Sequence, residues 1–317
     1  MNIAATTASP GLPTYVEPML ARAGQPFDDE RYSFELKWDG VRSLCYVDGP
    51  GSVRLMNRRT REMSERYPDV CACLGSLPPG TVLDGEIIIP GADGRPDFEC
   101  LQVREAARNR VSIPKLARST PATFIVFDQL YADFTAIMNR PLQERRERAR
   151  EMAARCASAH VAFSDGVVGG GIAYFQAVVE RGLEGIVAKR LDSRYLPGKR
   201  TDAWIKVKRH QDMPCVVFGF VPDEEGRRDF RALVIAAPGA GGALRCVGKV
   251  GSGFDEDARA IVNAYLWSHP AAKPVVACEY RQARWVEPSL YCTVRCIDRT
   301  SDGKLRWPVF RGLIDAH

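Results

Sequence analysis

A lysine two residues ahead of a turn-forming Asp-Gly pair stands in Glu35-Leu36-Lys37-Trp38-Asp39-Gly40-Val41-Arg42. Successive side chains of a strand point to opposite faces, so Glu35 and Lys37 share one face while Phe34 and Leu36 pack on the other. Asp39-Gly40 turns the chain, and Arg42 returns toward the same pocket. An amine in such a place becomes a nucleophile if its pKa falls from about 10.4 toward neutrality; desolvation and nearby positive charge both push it that way. Alone, Lys-x-Asp-Gly is a weak signal, because an ordinary surface lysine beside a turn has the same sequence.

Three further groups strengthen it. Asp84-Gly85-Glu86 lies inside the apolar run Val82–Ile89, with both acids on one strand face. Charges there are costly unless they are paired or bind a cation. Glu184 stands at the entry of the apolar run Gly185–Lys189. Glu86 and Glu184 are therefore candidate oxygen ligands for Mg²⁺ or Mn²⁺, which need few carboxylates when phosphate oxygens and water complete the shell. In Trp204-Ile205-Lys206-Val207-Lys208 the two lysines share a face and repel unless an anion lies between them. A triphosphate meets that need, and the pair lowers the pKa of a lysine placed opposite. Each group has a plainer reading: a polar outer strand face for the acids, a protective edge strand for the lysines.

The elements that must position these residues are short. Strands are expected at Phe34–Lys37 running into Ser43–Val47, and at Val53–Asn57, Val82–Ile89, Thr123–Phe127, Gly185–Lys189 and Ala203–Lys208. Helices are expected at Ser64–Leu74, Asp97–Glu105, Leu142–Ala157 and Ile172–Arg181. Beyond Lys208 the texture becomes β-rich, with strands at Cys215–Val221, Arg231–Ala236, Leu244–Val250, Val275–Arg281 and Cys292–Asp298 and one helix at Asp255–Trp267. Five strands and a helix fit a small OB-type barrel. Residues 1–14 read as a disordered lead-in, 15–209 as the first domain, 210–214 as a hinge linker and 215–317 as the barrel. The arginines at 140, 145, 146, 148 and 150 mix with Glu144, Glu147 and Glu151 on one helix and read as a solvated face rather than a DNA grip.

The bulk properties bound the class. A chain of 317 residues suits two domains, and a net charge of +5 is too small to show nucleic-acid binding by itself. The ten cysteines include no C-x-x-C pair, which argues against structural zinc and for reduced core thiols in a cytoplasm. No apolar run is long enough for a membrane span, and residues 1–10 lack a secretory pattern.

Together the groups resemble the covalent nucleotidyltransferases: DNA ligases, RNA ligases and mRNA-capping enzymes. Lys37-Trp38-Asp39-Gly40 is similar to motif I, Asn57-Arg58 to motif Ia and Asp84-Gly85-Glu86 to motif III. Phe127-Asp128 is similar to motif IIIa, Glu184–Lys189 to motif IV and Trp204–Lys208 to motif V. Pro18-Met19-Leu20, Tyr67-Pro68, Pro96-Asp97-Phe98, Leu101-Gln102, Val247–Phe254, Trp285–Pro288 and Leu305–Leu313 bring the resemblance closer, to bacterial ATP-dependent DNA ligases of the ligase-D and ligase-C type. It spans residues 15 to 313.

This resemblance implies an α+β fold: an adenylation domain of mixed antiparallel sheets with helices, then an OB-fold barrel. It implies ATP and Mg²⁺ or Mn²⁺ as cofactors, with Lys37 forming a lysyl-AMP adduct. Glu35 would read the adenine amino group and Phe127 would stack on the base. Arg42 and Arg58 would hold ribose or phosphate, Glu86 and Glu184 would serve ribose and metal, and Lys189, Lys206 and Lys208 would hold phosphates. The C-terminal element departs from the R-x-D-K form of motif VI; Arg311 is assigned to the pyrophosphate, with Lys249 and Arg306 as alternatives. The implied substrate is nicked double-stranded DNA, handled by a monomer in repair. Ku or separate polymerase and nuclease proteins are the implied partners, and no membrane is involved. Rival readings are an RNA ligase, a GTP-using capping-type enzyme and a catalytically silent DNA-binding relative.

Overall fold

A computed structural model describes residues 11–223, 229–239, 241–297, 299–300 and 302–314. The chain divides into two compact units, Met1–Lys208 and Arg209–His317.

The first unit holds two sheets. One runs β1-β11-β10-β2-β9, from β1 (Leu20–Ala23), β2 (Asp29–Leu36), β9 (Gly166–Gly169), β10 (Gly185–Arg190) and β11 (Arg200–Lys208). The other runs β4-β3-β5-β6-β7, from β3 (Val41–Gly49), β4 (Ser52–Asn57), β5 (Thr81–Ile88), β6 (Thr123–Ala132) and β7 (Thr135–Ala136), with β8 (Val161–Phe163) beside β6. All pairs are antiparallel except β1 with β11 and β6 with β8.

Strand β3 shows why both faces of its sheet are buried. Leu44 and Tyr46 enter a cluster with Met19, Phe127, Leu130 and Trp204, which joins the two sheets. The alternate Cys45 and Val47 enter a second cluster with Val70, Leu74, Leu101 and Met152. Those last residues come from α1 (Pro68–Leu74), α2 (Phe98–Ala106) and α4 (Leu142–Cys156), which cover the outer face. A strand buried on both sides reads as a continuous apolar run, as Leu44–Val47 does. Two further helices, α3 (Ser112–Ser119) and α5 (Gly171–Glu180), complete the unit, and Val178 of α5 packs on Phe34, Ile186 and Ala188.

The expected helix Ser64–Leu74 is broken into a 3-10 turn at Ser64–Arg66 and α1, because Pro68 lacks an N–H and can stand only in the first turn of a helix. Helix α3 escaped sequence reading because it buries only Ile113. Residues 1–10 of the expected lead-in lie outside the described residues. Residues 11–14 are anchored rather than loose: Leu12 packs on the inter-sheet cluster, and Arg54 Nη1 donates to the Thr14 carbonyl at 3.0 Å.

The second unit is an OB-type curled sheet. It runs β14-β13-β12-β16-β15, with β17 on the free part of β16. Its strands are β12 (Gln211–Pro222), β13 (Phe230–Pro238), β14 (Leu244–Val250), β15 (Pro270–Ala271), β16 (Arg284–Cys296) and β17 (Val309–Ile314). The register shifts between Val217 and Gly219 in both of β12's pairings, and such bulges bend a sheet. Helix α6 (Glu256–Ser268) is capped by the Asp255 carboxylate, which accepts from Ala258 N at 2.8 Å.

Two expectations fail here. The linker 210–214 is mostly strand: Gln211 through Pro214 pair with Cys296 through Thr293 of β16. Pro214 is tolerated because β13 joins β12 only from Val216, which leaves one side of β12 open at the proline. The connection between the units is therefore confined to Arg209 and His210. The run Val275–Arg281 is not a strand either; Val276, Cys278 and Tyr280 pack on the outer cluster around Val216 and Phe218 without a ladder. Its alternation recorded burial, not pairing. The end of the expected Cys292–Asp298 strand, Asp298, lies outside the described residues.

Candidate active site

Motif residues converge on a cavity of about 220 Å³ between the two sheets of the first unit. Its lining includes Glu35, Lys37, Arg42, Arg58, Glu86, Phe127, Lys189 and Lys206, with Trp204 and Arg200 among the rest. Register explains the convergence. Strand β10 lies between β2 and β11, with Val187 opposite Glu35 on one side and Lys206 on the other. Arg42 on β3 stands opposite Glu86 on β5.

Lys37 follows the end of β2, and its backbone N–H donates to the Gly185 carbonyl at 2.9 Å. The turn after it needs glycine: a Cβ on Gly40 would stand 2.3 Å from the Ile87 carbonyl oxygen and 2.8 Å from Glu86 Cγ. Gly185 has φ of 147°, and a Cβ there would meet the Val207 carbonyl oxygen at 2.1 Å. The two glycines thus let the lysine turn and the acid-bearing strand approach their neighbours.

The charges form linked pairs. Glu184 accepts from Lys37 Nζ at 2.7 Å through one oxygen and lies 2.8 Å from Lys208 Nζ through the other. Although burial opposes ionisation, these two ammonium groups hold the Glu184 carboxyl below its ordinary range. Burial, with Lys208 nearby, pushes Lys206 down. Lys189 is buried on Glu35 at 2.8 Å, with Nζ 3.9 Å from the Phe127 ring centre, and burial lowers its pKa.

Arg42 is more occupied than expected. It grips Asp84 through Nε at 3.0 Å and Nη2 at 2.6 Å, and Nη1 donates to the Met19 carbonyl at 2.7 Å. Tyr195 also donates to Asp84, at 2.7 Å. Asp84 and Arg42 therefore brace the cavity wall, leaving Arg58, which is exposed, as the freer guanidinium at its rim.

The solvated-face expectation for the α4 arginines is corrected at two positions. Arg145 is fully buried and forked onto Asp128, with Nε and Nη2 each 2.9 Å from a carboxylate oxygen. Arg146 is buried beside Glu35. Helix α4 packs on β6, so one of its charged stripes faces inward, and buried carboxylates on β6 and β2, Asp128 and Glu35, supply the partners. Nothing local in the sequence names those partners. The same holds for Trp204 and Arg200, which line the pocket, and for Tyr195, which braces Asp84 behind it. Arg311 and Lys249 belong to the second unit; Arg311 is exposed on β17, and Lys249 Nζ lies 4.4 Å from the Tyr280 ring centre.

The family described as ATP dependent DNA ligase domain matches residues 18–208, and its C-terminal region matches residues 226–315. The chain belongs to the ATP-dependent DNA ligases. Relatives of this ligase include the multifunctional non-homologous end joining protein LigD of Mycolicibacterium smegmatis, 33% identical over 93% of this chain and 38% of that protein. The SPbeta prophage-derived DNA ligase-like protein LigB of Bacillus subtilis is 31% identical over 93% of this chain and 98% of its own length. The crystal structure of the ligase domain from M. tuberculosis LigD aligns with a TM-score of 0.56 at 30% identity, covering 94% of this chain and 95% of that one. The ligase thus spans about two fifths of the LigD proteins it matches. No helix among its described residues is long and apolar enough to cross a membrane.

The carboxylates of the ligase differ in their fitness for a divalent cation. Glu184 already neutralises two lysines. Burial instead pushes the Glu86 carboxyl from its ordinary 4.5 up to about 8, despite Lys37 and Arg42 nearby. A cation at Glu86 would offset that burial, but among the described residues no three His, Cys, Asp or Glu side chains are grouped to hold one, so phosphate oxygens and water would have to complete its shell. In metal-free protein the sign is definite. The folded state keeps a proton on Glu86 that the unfolded chain loses near 4.5, so this group's contribution to stability falls as pH rises from 4.5 through about 8. Glu86→Gln in EDTA should therefore flatten the Tm profile between pH 6 and 9 and melt at least about 3 °C above wild type at pH 8.5. Parallel wild-type and variant profiles across that range would show that Glu86 is not the titrating group.

Proposed function

We propose that the chain seals 5′-phosphate/3′-hydroxyl nicks in duplex DNA through lysyl-AMP and DNA-adenylate intermediates. The observation that carries this reading is one amine, Lys37 Nζ, held by Glu184 at a cavity that also presents Lys206, Phe127 and Glu35. The deprotonated amine attacks the α-phosphorus of ATP, forming an N–P bond and expelling pyrophosphate. The adenylyl group then passes to the 5′-phosphate of the nick, and the 3′-hydroxyl displaces AMP to close the strand. Positioning and charge neutralisation supply most of the acceleration in such transfers.

Glu184 orients the amine; its lowered pKa makes it a weak proton acceptor. Lys206 and Lys208 neutralise phosphate charge, Lys189 braces Glu35 and Phe127, and Arg58 takes ribose or phosphate. Arg42 acts mainly by fixing Asp84 beside the pocket. Arg311 is assigned to the leaving pyrophosphate. Glu86, with Glu184 once its lysines are drawn to phosphate, would hold Mg²⁺ or Mn²⁺, which polarises phosphoryl oxygens.

We place the enzyme in DNA repair inside the cell, working as a monomer with Ku or with separate polymerase and nuclease proteins. That placement rests on the LigD relatives, which are named for non-homologous end joining. The deciding experiment is sealing of a labelled nicked duplex with ATP and Mg²⁺ or Mn²⁺, beside GTP and nicked-RNA controls. Sealing of DNA with ATP alone among the nucleotides is expected. Equal use of GTP, or sealing confined to RNA, would overturn the assignment.

A further inference from the structure

Glu35 is 1% exposed yet lines the cavity, and its two oxygens differ. Oε2 accepts from Lys189 Nζ at 2.8 Å. Oε1 accepts no hydrogen bond, although Arg146 Nη1 lies only 2.9 Å away. The guanidinium is anchored elsewhere: Nη1 donates to Ser33 Oγ, Nη2 donates to the Ser164 carbonyl at 3.1 Å, and the group lies 5.3 Å from the Phe163 ring centre. Arg146 thus supplies charge to Glu35 without aiming a proton at Oε1. A buried carboxylate oxygen without a donor is costly, and the cost is relieved when an N–H arrives.

We propose that Arg146 is a positioning residue for nucleobase choice, holding Glu35 so that Oε1 stays open to the amino group of a 6-aminopurine. The inference rests on the reading that Lys37 takes AMP from ATP. Its physics is the asymmetry of buried acceptors. A 6-amino group completes Oε1. A purine without that group leaves Oε1 unpaired, and a 6-oxo purine sets a carbonyl oxygen against the carboxylate. Sites built around a buried hydrogen bond discriminate strongly against analogues that lack it. Arg146 reaches Glu35 from helix α4, outside the strands that carry the nucleotide motifs and outside the cavity lining, so it acts on the base through Glu35 rather than by contact. Lysine at this position keeps the charge but lacks the fork needed to hold Ser33, Ser164 and Glu35 together.

The test is single-turnover formation of the covalent lysyl-nucleotide with ATP and with purine riboside triphosphate, for wild type, Arg146→Lys and Arg146→Met. Wild type should prefer ATP in kcat/KM by on the order of 100-fold. Arg146→Met should lose roughly 10- to 100-fold with ATP, mainly through KM, and stay within about threefold with the analogue. Arg146→Lys should fall between. If Arg146→Met does not fold, Arg146→Lys and Ser33→Ala carry the comparison, since removing the Ser33 hydroxyl frees the same guanidinium. Equal losses for both nucleotides, or full retention of the ATP preference, would overturn the proposal. A wild-type protein that labels with neither nucleotide would sink the ligase reading itself, a result distinct from unchanged preference in a labelling enzyme.

Discussion

Lys37→Ala should abolish covalent labelling by α-labelled ATP, reducing it by at least about 10³-fold, with sealing of a nicked duplex lost alongside. The strength of this expectation comes from the other amines near the cavity. Lys189 is 2% exposed and committed to Glu35. Lys208 holds Glu184 as Lys37 does, but unlike Lys37 it does not line the cavity. Lys206 is the real chemical rival, since it lines the same cavity and its pKa is lowered by burial and by Lys208. Lys206→Ala should weaken labelling by roughly 10- to 100-fold, through lost phosphate neutralisation, without abolishing it. Mass mapping of the adduct separates the two. An AMP-modified peptide that contains Lys206 and not Lys37, or undiminished labelling of Lys37→Ala, would falsify the nucleophile assignment.

Arg145→Met should destabilise the first unit by about 3–5 kcal/mol, because it strands a buried carboxylate. Arg145 and Asp128 are both fully buried, and Nη1 of Arg145 also donates to the Ser193 carbonyl at 2.9 Å. Burial raises the Asp128 carboxyl, and Arg145, with a smaller contribution from Lys189, pulls it back. At about 2–4 °C per kcal/mol for a unit of this size, thermal melting should show a loss of roughly 10 °C. Adding Asp128→Leu should recover much of it, since an apolar pair of similar volume replaces two desolvated charges. A shift under about 2 °C in the single variant would mean that water reaches the carboxylate. The pair also bears on function, because Asp128 adjoins Phe127 in the cavity wall.

How much of this was legible beforehand varied with the range of the interaction. The Lys37 turn, the acids at 84, 86 and 184 and the lysines at 206 and 208 were visible because two-residue alternation within a strand is a local rule, and the sheet preserved it. Helix α6 was readable from its acidic first turn. Misreadings arose where a local pattern had two physical causes. Val275–Arg281 alternates because it packs on a finished sheet, and residues 210–214 look like a linker although four of them pair with β16. Polar and proline-bearing segments pair when a neighbouring strand offers its edge, and that edge lies some eighty residues away.

What the sequence determined by itself was the inventory of chemistry: one lysine before a tight turn, carboxylates set in apolar strands, a paired set of cations and a β-rich second unit. Side-chain type and strand period are properties of adjacent residues, so they needed no fold to be read. Which charge meets which was decided only by the tertiary structure. Glu184 joining Lys37 to Lys208, Asp84 binding Arg42, and α4 turning two arginines inward all depend on strands and a helix brought together from distant parts of the chain. Burial makes those pairings obligatory, because an ion removed from water must find its counter-charge wherever packing has placed it.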